Sequence, residues 1–330
     1  MPRILITGSD GLVGHALRGV ETKHEMMFSH WTAGKGDQKF ANLLDPSDVD
    51  CLWHDAKPDI VIHAAAFVGG IGQQSAAPYD LCHKNLLMAC NVVDACVRHK
   101  VKRLIAFSSV CAMPDYPWEK PQVFGKLKER CLHDHPPPPE NWHYGHAKRM
   151  VDVLLDGAKK QHGLEGCTLV PANIFGTHDN YRLGTCHVVP ALIHKLYLAR
   201  KNGEPLRVWG DGSSEREFIS SDDVARIVMR LADLPELPPR LIVSSGEAVT
   251  VRQLVDALVS SVMYFHNDRP VEGDSLLVEY DKDKPNGQHR RPTDTSLLRS
   301  LLPDFRFEPL GEALKRSYEW FASTYPNVRI

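Results

Sequence analysis

The chain has 330 residues, and its 39 Lys plus Arg against 41 Asp plus Glu give a net charge of −2. At about 150 residues per domain, that length predicts two domains or one with a large appendage. The composition, 43% apolar and 24% charged, is ordinary globular usage; it provides no global basic field for nucleic acid or an anionic membrane, and no run approaches the roughly 18 consecutive apolar residues of a membrane helix.

Strand and helix patterns alternate from the start. Arg3–Thr7 is an apolar strand ahead of a glycine turn, 12–20 a helix, and Glu25–His30 a second strand. Residues 46–56 read as a helix, 59–64 as a buried strand, 78–99 as a long helix, and 102–108 as a strand. A helix at 141–161 and a strand at 166–170 follow. Repeated β-α units with nearly continuous apolar strands predict a doubly wound parallel sheet covered on both faces. Two stretches break the rhythm: 112–140, rich in proline (Pro114, Pro117, Pro121 and the run 136–139) with a turn of helix expected at 126–131, and the polar loop 176–187. Beyond it the pattern reads helix 188–202, strand 206–209, helix 221–233, strand 240–244, helix 250–264, a strand near 276–280 and a helix at 310–324. We expect residues 1–185, with 216–245 returning to them, to form a nucleotide-binding domain. Residues 186–215 and 246–330 would form a smaller α/β substrate-binding domain.

The chain enters a strand at once, so no secretory signal is expected. Its eight cysteines form no C-x-x-C pair and mostly sit in apolar runs, which predicts reduced thiols and a cytoplasmic protein. His133-x-His135 and His143-x-x-His146 lack a third clustered ligand, so no metal site is expected.

The first chemical motif is Gly8-Ser9-Asp10-Gly11-Leu12-Val13-Gly14, between a strand and a helix. Gly8 permits the tight turn, Gly11 lets the backbone approach a pyrophosphate, and Gly14 lets helix and strand pack closely. The helix start supplies free N–H groups for phosphates. On the first strand of an alternating α/β chain this predicts a Rossmann-type dinucleotide site. The second strand ends Phe28-Ser29-His30-Trp31 with no acid for a ribose 2′-hydroxyl. Ser29, His30 and the following Lys35 suit a 2′-phosphate instead, so NADP(H) is expected.

The second motif is Tyr144-Gly145-His146-Ala147-Lys148. On a helix, positions i and i+4 share a face, so phenol and ammonium enter one site. The neighbouring ammonium is expected to lower the phenol's pKa and favour proton exchange with a carbonyl. A hydroxyl from Ser108 or Ser109, after the strand at 102–108, could hydrogen-bond that carbonyl; either serine could equally cap the strand end.

Glycine turn, serine and Tyr-x-x-x-Lys together resemble the extended short-chain dehydrogenase/reductase superfamily. Val68-Gly69-Gly70-Ile71, Pro171 to Tyr181 (PANIFGTHDNY), His187-Val188-Val189-Pro190, Trp209-Gly210-Asp211-Gly212, Arg216-Glu217-Phe218-Ile219 and Lys284 to Arg291 (KPNGQHRR) narrow the match. They resemble the GDP-L-fucose synthase family over nearly the whole chain. That resemblance implies 3,5-epimerisation of a GDP-4-keto-6-deoxy sugar, then NADPH-dependent 4-reduction. It implies a reductase triad of Ser109, Tyr144 and Lys148, with Cys111 and His187 as the epimerising acid/base pair. It places the cofactor against the glycine loop, Ser29, His30, Asn42, Leu43, Ala64, Ala65 and Ala66, and against Lys148, Pro171, Asn173 and Ile174. The GDP-sugar would meet Val68, Asn173, His187, Lys195, Trp209, Arg216 and Arg291. It also implies a homodimer pairing long helices, for which 78–99 and 141–161 are the candidates. The chain departs from the family pattern at Lys195, a point charge rather than a larger basic group, and at Ala172, Asn42 and Asp10. Two other readings stand beside this one. A nucleotide-sugar 4-epimerase or dehydratase would not need Cys111 and His187. An NADP-sensing scaffold would not need the intact Tyr144 and Lys148.

Overall fold

The computed structural model describes residues 1–30, 39–116, 125–263, 276–284, 286 and 290–329. Lys35, Trp31, Pro117, Pro121 and most of the Lys284–Arg291 motif's interior (Pro285 and 287–289) lie outside the described residues.

Twelve strands run in chain order as β1 (Arg3–Thr7), β2 (Glu25–His30), β3 (Lys39–Phe40), β4 (Ile60–His63), β5 (Arg103–Phe107), β6 (Glu165–Pro171), β7 (Asn173–Phe175), β8 (Leu206–Trp209), β9 (Glu215–Ser220), β10 (Arg240–Val243), β11 (Ala248–Thr250) and β12 (Val278–Asp281) among the described residues. Seven form one parallel sheet in the order β10-β6-β5-β4-β1-β2-β3. Chain order therefore reverses between β1 and β4. Ligands of open α/β sheets sit at that point, outside the carboxyl ends of the strands.

Two-residue alternation divides the strand side chains between two cores. Ile4, Ile6, Ile60, Ile62, Ile105, Phe107 and Leu169 face the helices Leu12–Arg18 and Ser221–Ala232. Leu5, Val61, Leu104 and Ala106 face Pro46–Ala56, Pro78–Arg98 and Trp142–His162. The helix starts follow from local chemistry. Asp45 accepts from the Ser47 N–H at 2.8 Å with Pro46 at the first helical position. Ser220 accepts from the Asp223 N–H at 3.1 Å, which turns β9 directly into its helix. Gly163, at φ 73°, ends the helix that carries Tyr144.

A third core gathers Phe175, Tyr181, Leu192, Ile193, Leu254, Leu258, Leu314 and Phe321. It lies among the helices Val188–Asn202, Val251–Met263 and Leu310–Thr324, beside the β11-β9-β7 sheet and the β12-β8 pair.

Several boundaries differ from the sequence reading. The first helix stops at Arg18, because Gly19 closes it. The helical turn expected at 126–131 is a 3-10 turn at Glu129–His133. The sequence reading has no element at the two- and three-residue strands β3, β7 and β11, at the six-residue β9, or at the six-residue helices Ile71–Ala76 and Ser296–Leu301; these take their order from tertiary partners.

Candidate active site

One cavity of about 1070 Å³ opens at the carboxyl ends of the sheet strands. It brings together nearly every residue singled out from the sequence: Gly8 and Asp10 to Val13, Ser29, His30, Leu43 and Ala64 to Ala66, then Val68, Ser109, Cys111, Tyr144 and Lys148, and finally Pro171, Asn173, Ile174, His187, Lys195, Trp209, Arg216 and Arg291. Ser9, Gly14 and Asn42 are not in its lining. Gly14 acts from behind: a Cβ there would stand 2.4 Å from the Gly8 carbonyl oxygen. Asn42 is committed to its own turn, where Oδ1 accepts from the Leu44 N–H at 2.9 Å.

The glycine loop fits a dinucleotide. Gly8 sits at φ 79°, and a Cβ there would meet Ala65 backbone at 2.6 Å. The N–H of Gly11 donates to the Gly8 carbonyl at 3.0 Å, and no side chain caps the helix that follows. Its free N–H groups face the cavity, where phosphate oxygens would be held. At the end of β2 both ring nitrogens of buried His30 lack hydrogen-bond partners among the described residues, as does Ser9 Oγ in the glycine loop behind the cavity lining. Asp10 Oδ2 approaches His30 Nδ1 at 3.5 Å. An acid therefore does stand beside the strand end, but it comes from the glycine loop and not from the second strand.

Phe107, the last residue of β5, accepts from Lys148 Nζ at 3.0 Å. Ser108 is buried and donates to the Lys148 carbonyl at 2.9 Å, whereas Ser109 reaches Tyr144 with its hydroxyl. Both serines line the cavity but differ in partners: Ser108 fastens the strand to the helix, and Ser109 meets the Tyr144 phenol. Ser109 Oγ also accepts from the Cys111 N–H at 3.1 Å, which caps the turn Val110–Ala112. Lys148 Nζ stands 5.9 Å from the centre of the Tyr144 ring.

The electrostatics correct one expectation. Burial, with a contribution from the nearby Cys111, pushes the Tyr144 phenol well above its ordinary value. Burial outweighs the Ser109 hydrogen bond, which acts to lower it, and burial also draws Lys148 down to about 8. Tyr144 is thus held as a neutral proton donor. If protonated Lys148 supports it, kcat/KM for carbonyl reduction should fall as pH rises through about 8. A pH–rate profile checks this, and a profile flat from pH 7 to well above 9 would contradict it.

His187 precedes the helix Val188–Asn202 and lines the cavity with its side chain exposed. The protein around the cavity mouth disfavours its charged form and lowers its pKa, the same direction expected of the helix dipole. Cys111 is half-buried in the capped turn. Its sulfur lies within electrostatic range of Arg216 and Arg291.

Arg216 is not the surface ion pair its flanking acids could have made. Glu215 pairs with Arg290 at 2.9 Å. Glu217 is buried and accepts from Ser244 Oγ at 2.6 Å and the Thr293 N–H at 2.8 Å. Burial, then the like charge of Arg291, brings Arg216 down to about 10. Two guanidinium groups that repel one another at a cavity wall suit an anion. Beside them Lys195 stands 5.0 Å over the ring of Trp209, which is half-exposed. Arg291 Nη1 donates to the Val110 carbonyl at 2.7 Å, so part of this guanidinium is already committed to the Cys111 turn. Asn173 Nδ2 donates to the Glu217 carbonyl at 2.9 Å.

Comparison with known proteins bears on this geometry. Residues 4–243 match the NAD dependent epimerase/dehydratase family. The GDP-L-fucose synthase of Dictyostelium discoideum is 32% identical over 99% of this chain and 97% of its own length. The chain belongs to that family, in its GDP-L-fucose synthase branch. The GDP-L-fucose synthase of Escherichia coli K12 is 29% identical over 99% of this chain and 98% of its own. Among solved structures, a GDP-L-fucose synthetase from Naegleria fowleri bound to NADP superposes with a TM-score of 0.83 at 27% identity, covering 100% of this chain and 95% of that one. Among the described residues, no helix of this family member is long and apolar enough to cross a membrane, and no cluster of three or more His, Cys, Asp or Glu could hold a metal.

Proposed function

We propose that the protein converts GDP-4-keto-6-deoxy-D-mannose to GDP-L-fucose by inverting C3 and C5 and then reducing the C4 ketone with NADPH. The observation that carries this reading is that one cavity joins Ser109, Tyr144 and Lys148 to both Cys111 and His187. A 4-epimerase or dehydratase needs only the first set.

The ketone acidifies the hydrogens at C3 and C5. A thiolate on Cys111 removes a proton from one face, and His187 returns one from the other. A lowered pKa makes the protonated imidazole a readier proton donor to the carbanion. Ser109 holds the C4 oxygen, and Tyr144 protonates it as charge develops there. NADPH, when bound, supplies hydride to C4. The glycine loop, Ser29 and His30 would hold the cofactor, with the adenine side against Leu43 and the nicotinamide side toward Lys148, Pro171 and Ile174. In this reading residues 1–185 with 216–245 bind NADP(H), and 186–215 with 246–330 bind the GDP-sugar.

Incubation with NADPH and the keto-sugar nucleotide tests the assignment: one NADPH should be consumed for each GDP-L-fucose formed. Cofactor choice is a second expected outcome. Because β2 ends on Ser29 and His30, kcat/KM should favour NADPH over NADH, and equal values would contradict the placement. The nucleotide clamp gives a third. Arg216→Ala should weaken GDP binding about 10- to 100-fold, the worth of a charge-assisted hydrogen bond of about 1.5–3 kcal/mol. Calorimetric titration with GDP reads this directly; unchanged affinity would remove Arg216 from the site.

We read the protein as a cytoplasmic homodimer. Its eight cysteines are all free thiols. The helices Pro78–Arg98 and Trp142–His162 pack together over the sheet and still leave Tyr79, Met150 and Val153 exposed, an apolar surface suited to the same pair in a second copy.

A further inference from the structure

The turn that carries Cys111 is held at three successive carbonyls by three different groups. Val110 O accepts from Arg291 Nη1 at 2.7 Å. Cys111 O lies against Gly145 so closely that a Cβ on that glycine would stand 2.5 Å from it. Ala112 O accepts from Arg149 Nε at 2.5 Å. Two of the three groups, Gly145 and Arg149, sit four residues apart on one face of the helix that also carries Tyr144 and Lys148.

Arg149 is nearly fully buried, at 7% exposure. A buried cation normally needs a paired carboxylate. Arg149 spends its fork on backbone instead: besides Ala112 O it donates through Nη2 to the carbonyl of His135. That residue opens the proline run, whose Pro137 Cβ would in turn stand 2.7 Å from a Cβ on Gly145. Asp134, which acts on Arg149 through space, is itself engaged by the Tyr116 hydroxyl at 2.9 Å. A buried guanidinium bridging two carbonyls 23 residues apart does more than fill space. A leucine or methionine would fill the same volume without the desolvation cost.

We infer that Arg149 is a positioning residue for the epimerisation step: with Gly145 it fixes the Cys111 turn in register with the helix bearing Tyr144 and Lys148, so that the thiol and the phenol address the same bound sugar. Neither residue touches the reacting atoms. Arg149 acts through the carbonyl of Ala112, and Gly145 through that of Cys111. The inference rests on the epimerase–reductase reading above and adds to it the means by which the two chemistries share one substrate position.

Three variants test it: Arg149→Met, Arg149→Lys and Gly145→Ala. The readouts are incorporation of solvent deuterium into the keto-sugar nucleotide without NADPH, NADPH affinity by fluorescence titration, and the rate of Cys111 alkylation by iodoacetamide followed by peptide mass mapping. Wild type should incorporate deuterium; if it does not, the epimerase reading fails and the variants are not needed to show it. Given wild-type exchange, Arg149→Met and Gly145→Ala should lower kcat for exchange at least tenfold with KM within about threefold. NADPH affinity should stay within twofold, and the Cys111 alkylation rate should change several-fold. Arg149→Lys, which keeps one donor and the charge but loses the fork, should restore part of the exchange. Exchange and alkylation within twofold of wild type in all three variants would overturn the inference. So would loss of exchange and NADPH affinity in step, since that pattern marks a general packing role. If Arg149→Met does not fold, Arg149→Lys and Gly145→Ala carry the same comparison.

Discussion

Tyr144→Phe should lower carbonyl reduction by about 10²–10⁴-fold, the usual worth of a positioned general acid, while NADPH still binds and the fold persists. The phenol is buried at 7% exposure, and its ring packs in the helix face above β5, so phenylalanine preserves the shape and removes only the hydroxyl. The hydroxyl meets Ser109 and faces the cavity, and burial keeps it protonated, as an acid must be before it gives up its proton. The same variant should still exchange solvent deuterium into the substrate, because Cys111 and His187 are untouched. Near-normal turnover by a folded Tyr144→Phe protein would remove Tyr144 from the mechanism.

Cys111→Ser should have the complementary effect. Serine keeps the capped turn, since the backbone N–H of residue 111 still donates to Ser109 Oγ. It replaces a thiol with an alcohol, a much weaker acid that does not readily supply an anionic base. Deuterium exchange should fall by about 10²-fold or more, the lower bound for loss of a general base, with NADPH affinity unchanged. His187→Ala should lose exchange as well, and the pair of variants separates this chemistry from plain keto-sugar reduction. Wild-type exchange in both would leave a simple reductase as the better description.

The parts legible in the sequence are those whose signals are local. Pro46–Ala56, Val188–Asn202 and Leu310–Thr324 lie where periodicity and punctuation place them: Asp45-Pro46 opens the first, and Gly203 closes the second. β1, β4 and β5 of the large sheet read directly because burial on both faces makes them nearly continuously apolar. β9 was visible only as a motif around Arg216. Its Glu217 looks like a surface charge until Ser244 and Thr293, distant in the chain, are seen to enclose it. That enclosure also holds the Arg290–Thr293 segment beside the Cys111 turn, a relation with no sequence spacing to betray it. Tyr144, Lys148 and the glycine loop were legible because helix geometry and a strand-to-helix turn impose fixed spacings. Arg149 was not: it follows Lys148 in sequence, but its role depends on two backbone carbonyls supplied by separate loops. The direction of the Tyr144 shift is not legible in the sequence for a related reason. Proximity of the ammonium is readable from i and i+4, whereas the burial that outweighs it belongs to the assembled cavity.

The central claim, that one cavity both epimerises and reduces, is tested most directly by a single reaction in deuterated water. Wild-type protein, GDP-4-keto-6-deoxy-D-mannose and NADPH should yield GDP-L-fucose carrying deuterium at C3 and C5 and protium from NADPH at C4, readable by NMR and mass spectrometry. A C4-reduced product with protium at both C3 and C5 and unchanged configuration there, or no NADPH consumption at all, would contradict the account.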